Sequence, residues 1–186
     1  FVSERSEIIP FSEFIKGVVV INLAEVGQDD ATMNMLVAIF LNLFFDHMLK
    51  IEKRDYWGVD PQRRVVDSML LVDEADNIMQ FEFDVLRKIL QQGREFGVGV
   101  VLASQYLSHF KTTHENYAEN LLSWFIHKVP NVKTRELNAI GLSNASTEMA
   151  NRIKDLEPFH LFAKTLGVEG EFAKVVPFFE LFGDVE

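Results

Sequence analysis

The sequence predicts an α/β fold: a mainly parallel sheet flanked by helices, with a C-terminal antiparallel hairpin. Three observations carry this. Met69, Leu70, Leu71 and Val72 form an apolar run that stops abruptly at Asp73 and Glu74, the pattern of a strand buried on both faces. A second run, residues 98–103, comes after one stretch of helical periodicity, and strand, helix and strand on such short connections form a parallel crossover. Residues 159–166 and 172–178 flank a turn at 167–170, which is a hairpin signal.

Taken in order, residues 1–16 mix charge with Ile8, Ile9, Phe11, Phe14 and Ile15 around Pro10, and read as an irregular lead-in with one short helical turn. Gly17 opens a β-branched run at 18–23, the expected first parallel strand. Residues 25–30 form a polar turn in which Asp29 and Asp30 can cap the next helix. From Ala31, the residues Met35, Leu36, Ile39, Phe40, Leu43 and Phe44 recur at helical spacing, predicting a helix of about five turns that ends near Ile51. Both its faces are largely apolar, so it should pack on two sides, against the sheet and against other protein. Residues 56–64, with Trp57, Gly58 and the turn signal Asp60-Pro61, form a loop before the acid-tipped strand.

After that strand, Phe83, Leu86, Ile89 and Leu90 mark a helix that gives out between Gly93 and Gly97. Beyond Gln105, residues 106–115 are polar, rich in His and without periodicity, the pattern of a mobile loop in which Lys111 is the one firm cation. A helix over 115–122 should lead to a short strand at 123–129 that Pro130 stops. Asn131 or Thr134 can cap a helix through Ile140 that Gly141 ends, and residues 143–146 can cap another to about Leu156. Neither face of the closing hairpin is wholly polar, so it should pack onto the sheet edge. The expectation is four parallel strands plus the hairpin, in a single domain over residues 1–186.

Composition bounds the function. The absence of Cys removes disulfide scaffolds and thiolate metal sites, and the five His have no metal-ligand spacing. A net charge of −10 argues against a broad nucleic-acid-binding face. Arg63-Arg64 and residues 50–54 are the dense basic spots, both interrupted by acids, and read as a solvated loop and helix end. No uninterrupted run reaches the ~18 apolar residues of a membrane span, and no secretory signal pattern is present, so a cytoplasmic chain is expected. The first residue is Phe1 and not Met, as expected of a cut or processed piece.

The acidic pair is the centre of interest. In open parallel sheets ligands bind beyond the C-terminal ends of the strands, where Asp73, Glu74 and, from the next strand, Gln105 should emerge. Two readings are open: the carboxylates cap the next helix, or carboxylates and amide hold a hydrated divalent cation, an activated water and a phosphate. The run Leu70-Leu71-Val72-Asp73-Glu74-Ala75 resembles a Walker B motif. Residues 89–105, through Gly93-Arg94-Glu95-Phe96-Gly97 to Ala103-Ser104-Gln105, resemble the matching segment of HerA/FtsK-type P-loop ATPases, the group of VirD4-like and VirB4-like pumps. Together the two motifs cover about an eighth of the chain.

What the resemblance implies is a partial RecA-like ATPase core using ATP and Mg²⁺. On that reading Asp73 holds the Mg²⁺ shell, Glu74 polarises the attacking water and Gln105 senses the γ-phosphate. Arg94 matches the place where this family offers an arginine to a neighbouring subunit's nucleotide; the alternative for it is a cation favourable at a helix C-terminus. The resemblance further implies a self-associating, hexameric, DNA-translocating or helicase-like protein, with DNA in the assembled pore and a nuclease or other DNA-processing partner, in DNA processing or phage defence. One part of the pattern is missing. No Gly-x-x-x-x-Gly-Lys-[Ser/Thr] occurs, so the backbone nest and Lys that bind phosphates are not in this sequence. The piece is therefore expected to be the C-terminal part of a larger ATPase, inactive alone, with the Walker A strand upstream; the alternative is a non-catalytic structural or binding subunit with a degenerate ATPase fold.

Overall fold

The computed structural model describes residues 8–23, 29–58, 64–167 and 169–181. The turn signal Asp60-Pro61, Arg63, most of the polar turn before Asp29 and Val168 of the hairpin turn lie outside them. The chain forms two compact units, Phe1–Ala103 and Ser104–Glu186.

In the first unit, Pro10 sets up a single helical turn, α1 (Phe11–Phe14), whose Phe11 ring lies 5.7 Å from that of Phe40. This is the expected short turn. The long helix α2 (Asp30–Met48) starts where expected: the Asp29 carboxylate accepts the N–H groups of Ala31 and Thr32, satisfying donors that a helix start leaves unpaired. Val37, Leu41, Phe44 and Met48 form its buried stripe, while Met35, Ile39 and Leu43 on the other side are exposed. One of the two apolar faces is thus covered within the described residues. By length and composition α2 is also long and apolar enough to cross a membrane, although it packs here against neighbouring helices.

The acid-tipped run forms strand β1 (Ser68–Val72). A short helix α3 (Asp76–Met79) and a longer α4 (Asp84–Gln92) then lead to β2 (Val98–Leu102), which pairs parallel with β1 in the register Ser68↔Val98 to Val72↔Leu102. Two helices replace the one expected because the chain breaks at Glu82, whose φ is +53°. Ala75, Met79, Leu86 and Ile89 are fully buried and form the core under the crossover. Gly97, at φ +71°, makes the reversal into β2, and a Cβ there would meet the Asp67 carboxylate at 2.6 Å.

Residues 18–23 do not form the expected strand. Val18 is 95% exposed: a β-branched composition favours a strand but does not by itself supply the pairing that makes one. Among the described residues the parallel sheet accordingly has two strands and not four. Its inner face carries Leu70, Val72, Val98 and Val100. Its other face leaves Leu71 67% and Met69 59% exposed, with Val101 beside them.

In the second unit, β3 (Trp124–Ile126) does not extend the parallel sheet, as expected from the sequence, but pairs antiparallel with β4 (His160–Lys164), which pairs antiparallel with β5 (Glu171–Lys174). The hairpin is as expected, and β3 is the edge it packs on. Between β3 and β4 lie α5 (Thr134–Ala139) and α6 (Thr147–Lys154); the Ser146 hydroxyl accepts the Met149 N–H, and Gly141 ends the preceding turn at φ +84°. Tyr117, Val132, Leu137, Ile153 and Phe162 are fully buried, and the rings of Phe110 and Trp124 meet edge to face at 5.0 Å. The stretch expected as a mobile loop is folded down by that contact: residues Leu107–Phe110 form a helical turn and Lys111 bridges to Asn116. The helix expected at 115–122 is only the turn Tyr117–Asn120. A short helix α7 (Phe178–Leu181) closes the described chain.

Candidate functional site

The Asp73-Glu74 pair emerges at the C-terminal end of β1, as the end of an apolar strand requires. Beyond the strands the ladder continues: Ala103 N–H donates to Val72 O at 2.9 Å and Ala75 N–H to Ala103 O at 2.8 Å. These two bonds hold the carboxylates against the tip of β2. Ala75, fully buried, anchors the turn from below.

Glu74 has φ +47°, in the left-handed region that non-glycine residues enter at a cost. Such conformations persist where the surroundings enforce them, and they concentrate at functional sites. Glu74 N–H donates to Asp73 Oδ1 at 3.0 Å, and Asn77 Nδ2 donates to Glu74 Oε2 at 3.3 Å. No hydrogen bond engages Asp73 Oδ2 or Glu74 Oε1 among the described residues, and both side chains are exposed.

This geometry separates the two readings of the pair. Helix α3 has Ala75 as its N-cap and receives no side-chain capping bond. The carboxylates are therefore not spent on the helix start. Each keeps an oxygen directed to solvent at the sheet edge, which suits a hydrated Mg²⁺ held through one or two carboxylates and waters. Among the described residues no cluster of three or more His, Asp or Glu could hold a metal by itself. The donor set fits an ion whose other ligands are waters and phosphate oxygens.

The other predicted residues fall elsewhere. Gln105 belongs to the second unit, two residues past Ala103, and is exposed. Arg94 lies in the helical turn Gly93–Phe96, ahead of β2, and is exposed. Because β1 and β2 run parallel, Arg94 sits at the opposite end of the sheet from Glu74, with a five-residue strand of about 16 Å between. Asp73 and Glu74 are brought together; Arg94 is not brought to them within one chain.

Sequence reasoning missed the surroundings of Arg94. Lys53 Nζ bonds Glu95 Oε2 at 2.5 Å, Arg54 N–H donates to Glu95 O at 2.7 Å, and the Arg54 guanidinium pairs with Asp67. Arg64 stacks 4.0 Å from the Tyr56 ring and donates to Arg54 O. The Lys53 ammonium, with smaller contributions from Arg64 and Arg94, holds the Glu95 carboxyl below the usual carboxylate range. The two basic spots thus converge on the Arg94-Glu95 turn, although some 40 residues of sequence separate Lys53 from Glu95.

No protein-family model matches the chain, and no curated protein matches it. Among solved structures it is similar to the bacterial conjugative coupling protein TrwBdeltaN70 in its unbound monoclinic form, with a TM-score of 0.52 and 13% identity over 79% of this chain. At that identity the likeness is one of fold, a partial RecA-like α/β core. The match spans 38% of the length of the coupling-protein structure. A second similar structure, the cytoplasmic domain of the Thermomonospora curvata type VII secretion ATPase EccC, gives a TM-score of 0.42 at 14% identity, covering 79% of this chain and 17% of the other.

Proposed function

We propose that this chain is the C-terminal part of an ATP-hydrolysing DNA translocase or helicase of the HerA/FtsK type, both units belonging to one ATPase domain. The observation that carries the reading is the Asp73-Glu74 turn: two carboxylates at the C-terminal end of a parallel strand, with Glu74 left-handed and uncommitted to helix capping. The HerA/FtsK-like sequence from Ile89 to Gln105 and the RecA-like fold support it.

Bound Mg²⁺ would supply charge neutralisation on the transferring phosphoryl group. Asp73 would orient the ion's water shell through Oδ2. Glu74, its backbone N–H held by the Asp73 carboxylate and its Oε2 by the Asn77 amide, would accept a hydrogen bond from the attacking water at Oε1 and align it. Gln105 would position the γ-phosphate by its amide. Arg94, at the far end of the sheet, has a role only toward a neighbouring subunit's nucleotide, which agrees with a self-associating, hexameric assembly carrying DNA in its pore. The phosphate cradle must come from sequence outside these residues, so the isolated chain should not turn over ATP. A nuclease or other DNA-processing partner in DNA processing or defence belongs to the same reading.

A second reading is favoured by one observation, the missing Gly-x-x-x-x-Gly-Lys-[Ser/Thr] pattern: a structural or binding subunit with a degenerate ATPase fold. DNA-stimulated ATP hydrolysis by the intact protein, beside its Glu74→Gln variant, separates the two. Loss of turnover with ATP binding retained supports the motor. An unmodified protein that neither binds nor hydrolyses ATP leaves the subunit reading.

A further inference from the structure

We propose that a cleft in the second unit, between residues 106–108 and 129–136, binds a phosphate-bearing ligand through Lys133, Arg135 and Lys154. This site is separate from the ATPase reading and uses neither Asp73 nor Glu74. The cleft has a volume of about 440 Å³, within the range of small-molecule sites. After β3 ends at Ile126 the chain turns at Pro130 and Asn131, and the next residue, Val132, is buried to 1% exposure, so the backbone that presents the cations is anchored in the core.

The charge of the lining points to an anion. The chain has 28 Asp and Glu against 18 Lys and Arg, yet this cleft is lined by three cations and one carboxylate. That carboxylate, Glu136, is already committed: its Oε2 accepts the Lys133 backbone N–H at 2.7 Å. No ion pair neutralises Lys133, Arg135 or Lys154 among the described residues, and the Lys154 ammonium makes only a long 3.4 Å contact with the Asn151 amide oxygen. Like charges converging on a concave wall raise the local potential and attract an anion of matching valence.

The donor types select phosphate. Arg135 offers a planar fork that meets two oxygens at once, and the two lysines are compact point charges that can bracket further oxygens. Ser108 adds a hydroxyl donor at the rim. Tyr106, its ring held edge-on to His109 at 5.1 Å, adds an aromatic wall of the kind on which a base can stack. Two sources share this chemistry, a free polyphosphate such as that of a nucleotide, and the backbone of a single-stranded nucleic acid.

The test is equilibrium binding to the whole chain by calorimetry, with tripolyphosphate in one arm and a short single-stranded oligonucleotide in the other. The variant is Lys133→Gln with Arg135→Gln; the control, of equal charge change at residues that do not line the cleft, is Lys88→Gln with Lys174→Gln. We expect binding that weakens with salt, a loss of about tenfold or more in the cleft variant, and a change below about twofold in the control. Tripolyphosphate binding assigns the cleft to a free polyphosphate; oligonucleotide binding alone assigns it to a nucleic-acid backbone. Failure of both probes, or equal losses in variant and control, overturns the proposal. Should the double variant not fold, Arg135→Lys keeps the charge and removes the fork, and unchanged affinity then counts against the site.

Discussion

The left-handed backbone at Glu74 can be tested by reversing the ordinary order of alanine and glycine. At an exposed right-handed helical position such as Gln91 in α4, glycine is less stable than alanine by about 0.8–1.0 kcal/mol. At position 74, with φ +47°, alanine keeps the left-handed cost of about 1–2 kcal/mol and glycine does not. Glycine gives back about 0.4–1 kcal/mol through the freer unfolded chain. Both substitutions lose the same 3.3 Å bond from Asn77, so it cancels in the comparison. Glu74→Gly should therefore be more stable than Glu74→Ala by about 0.5–1 kcal/mol, or about 1–4 °C in melting temperature for a chain of this size. The assay is thermal and urea denaturation followed by far-UV circular dichroism, with the Gln91 pair measured alongside. An alanine variant as stable as glycine at 74, with the usual order at 91, would refute the idea that this turn holds its carboxylate against a local conformational preference.

Backbone conformation and ion pairing give two other outcomes. Gly97→Ala combines φ +71° with a Cβ 2.6 Å from the Asp67 carboxylate and 3.1 Å from Val65 O, and should cost about 1–3 kcal/mol in urea denaturation; Gly17→Ala, at φ +75° with nothing within 4 Å, should cost only the backbone term. Three exposed carboxyls are held below their usual range: Asp29 by the Thr32 hydroxyl, Asp84 by Arg87 and Glu95 by Lys53. A depressed folded value means stability that is complete above the unfolded value near pH 4 and is lost as pH falls through the folded one. Melting temperature should hold between about pH 7 and 5 and drop below about pH 4, and Glu95→Gln should shallow that drop.

The elements legible in the sequence are those whose signal is local. The Asp29 cap, the course of α2, the acid-tipped β1, the apolar β2 and the C-terminal hairpin all declare themselves within a few residues, whereas the face of α2 that is buried, Val37, Leu41, Phe44 and Met48, shares only Phe44 with the apolar positions that marked the helix. The misread elements depend on what lies alongside. Residues 18–23 have the composition of a strand but pair with no edge among the described residues, and β3 found its partner in β4, about 40 residues later. The same limit applied to the candidate site. The carboxylates at the strand tip were legible, whereas the left-handed Glu74 was not, since nothing in Val72-Asp73-Glu74-Ala75 marks it. Lys53 and Arg64 looked like solvated charge because the turn they enclose, Arg94-Glu95, lies far along the chain.

The outer face of the two-stranded parallel sheet has a consequence for the protein as a solute. Leu71, Met69 and Val101 present an apolar band, and the described residues place no further strand on either edge of the ladder. Two opposed forces then act between molecules in solution. The net charge of −10 should repel at long range, and the exposed apolar sheet face should favour contact at short range. Salt weakens the first, shortening its reach to about 8–10 Å near physiological ionic strength, and leaves the second intact or strengthened. Colloidal behaviour should then follow ionic strength, and light scattering against salt reads it: dilute buffer is expected to keep the molecules apart and added salt to bring them within reach of one another's sheet edges.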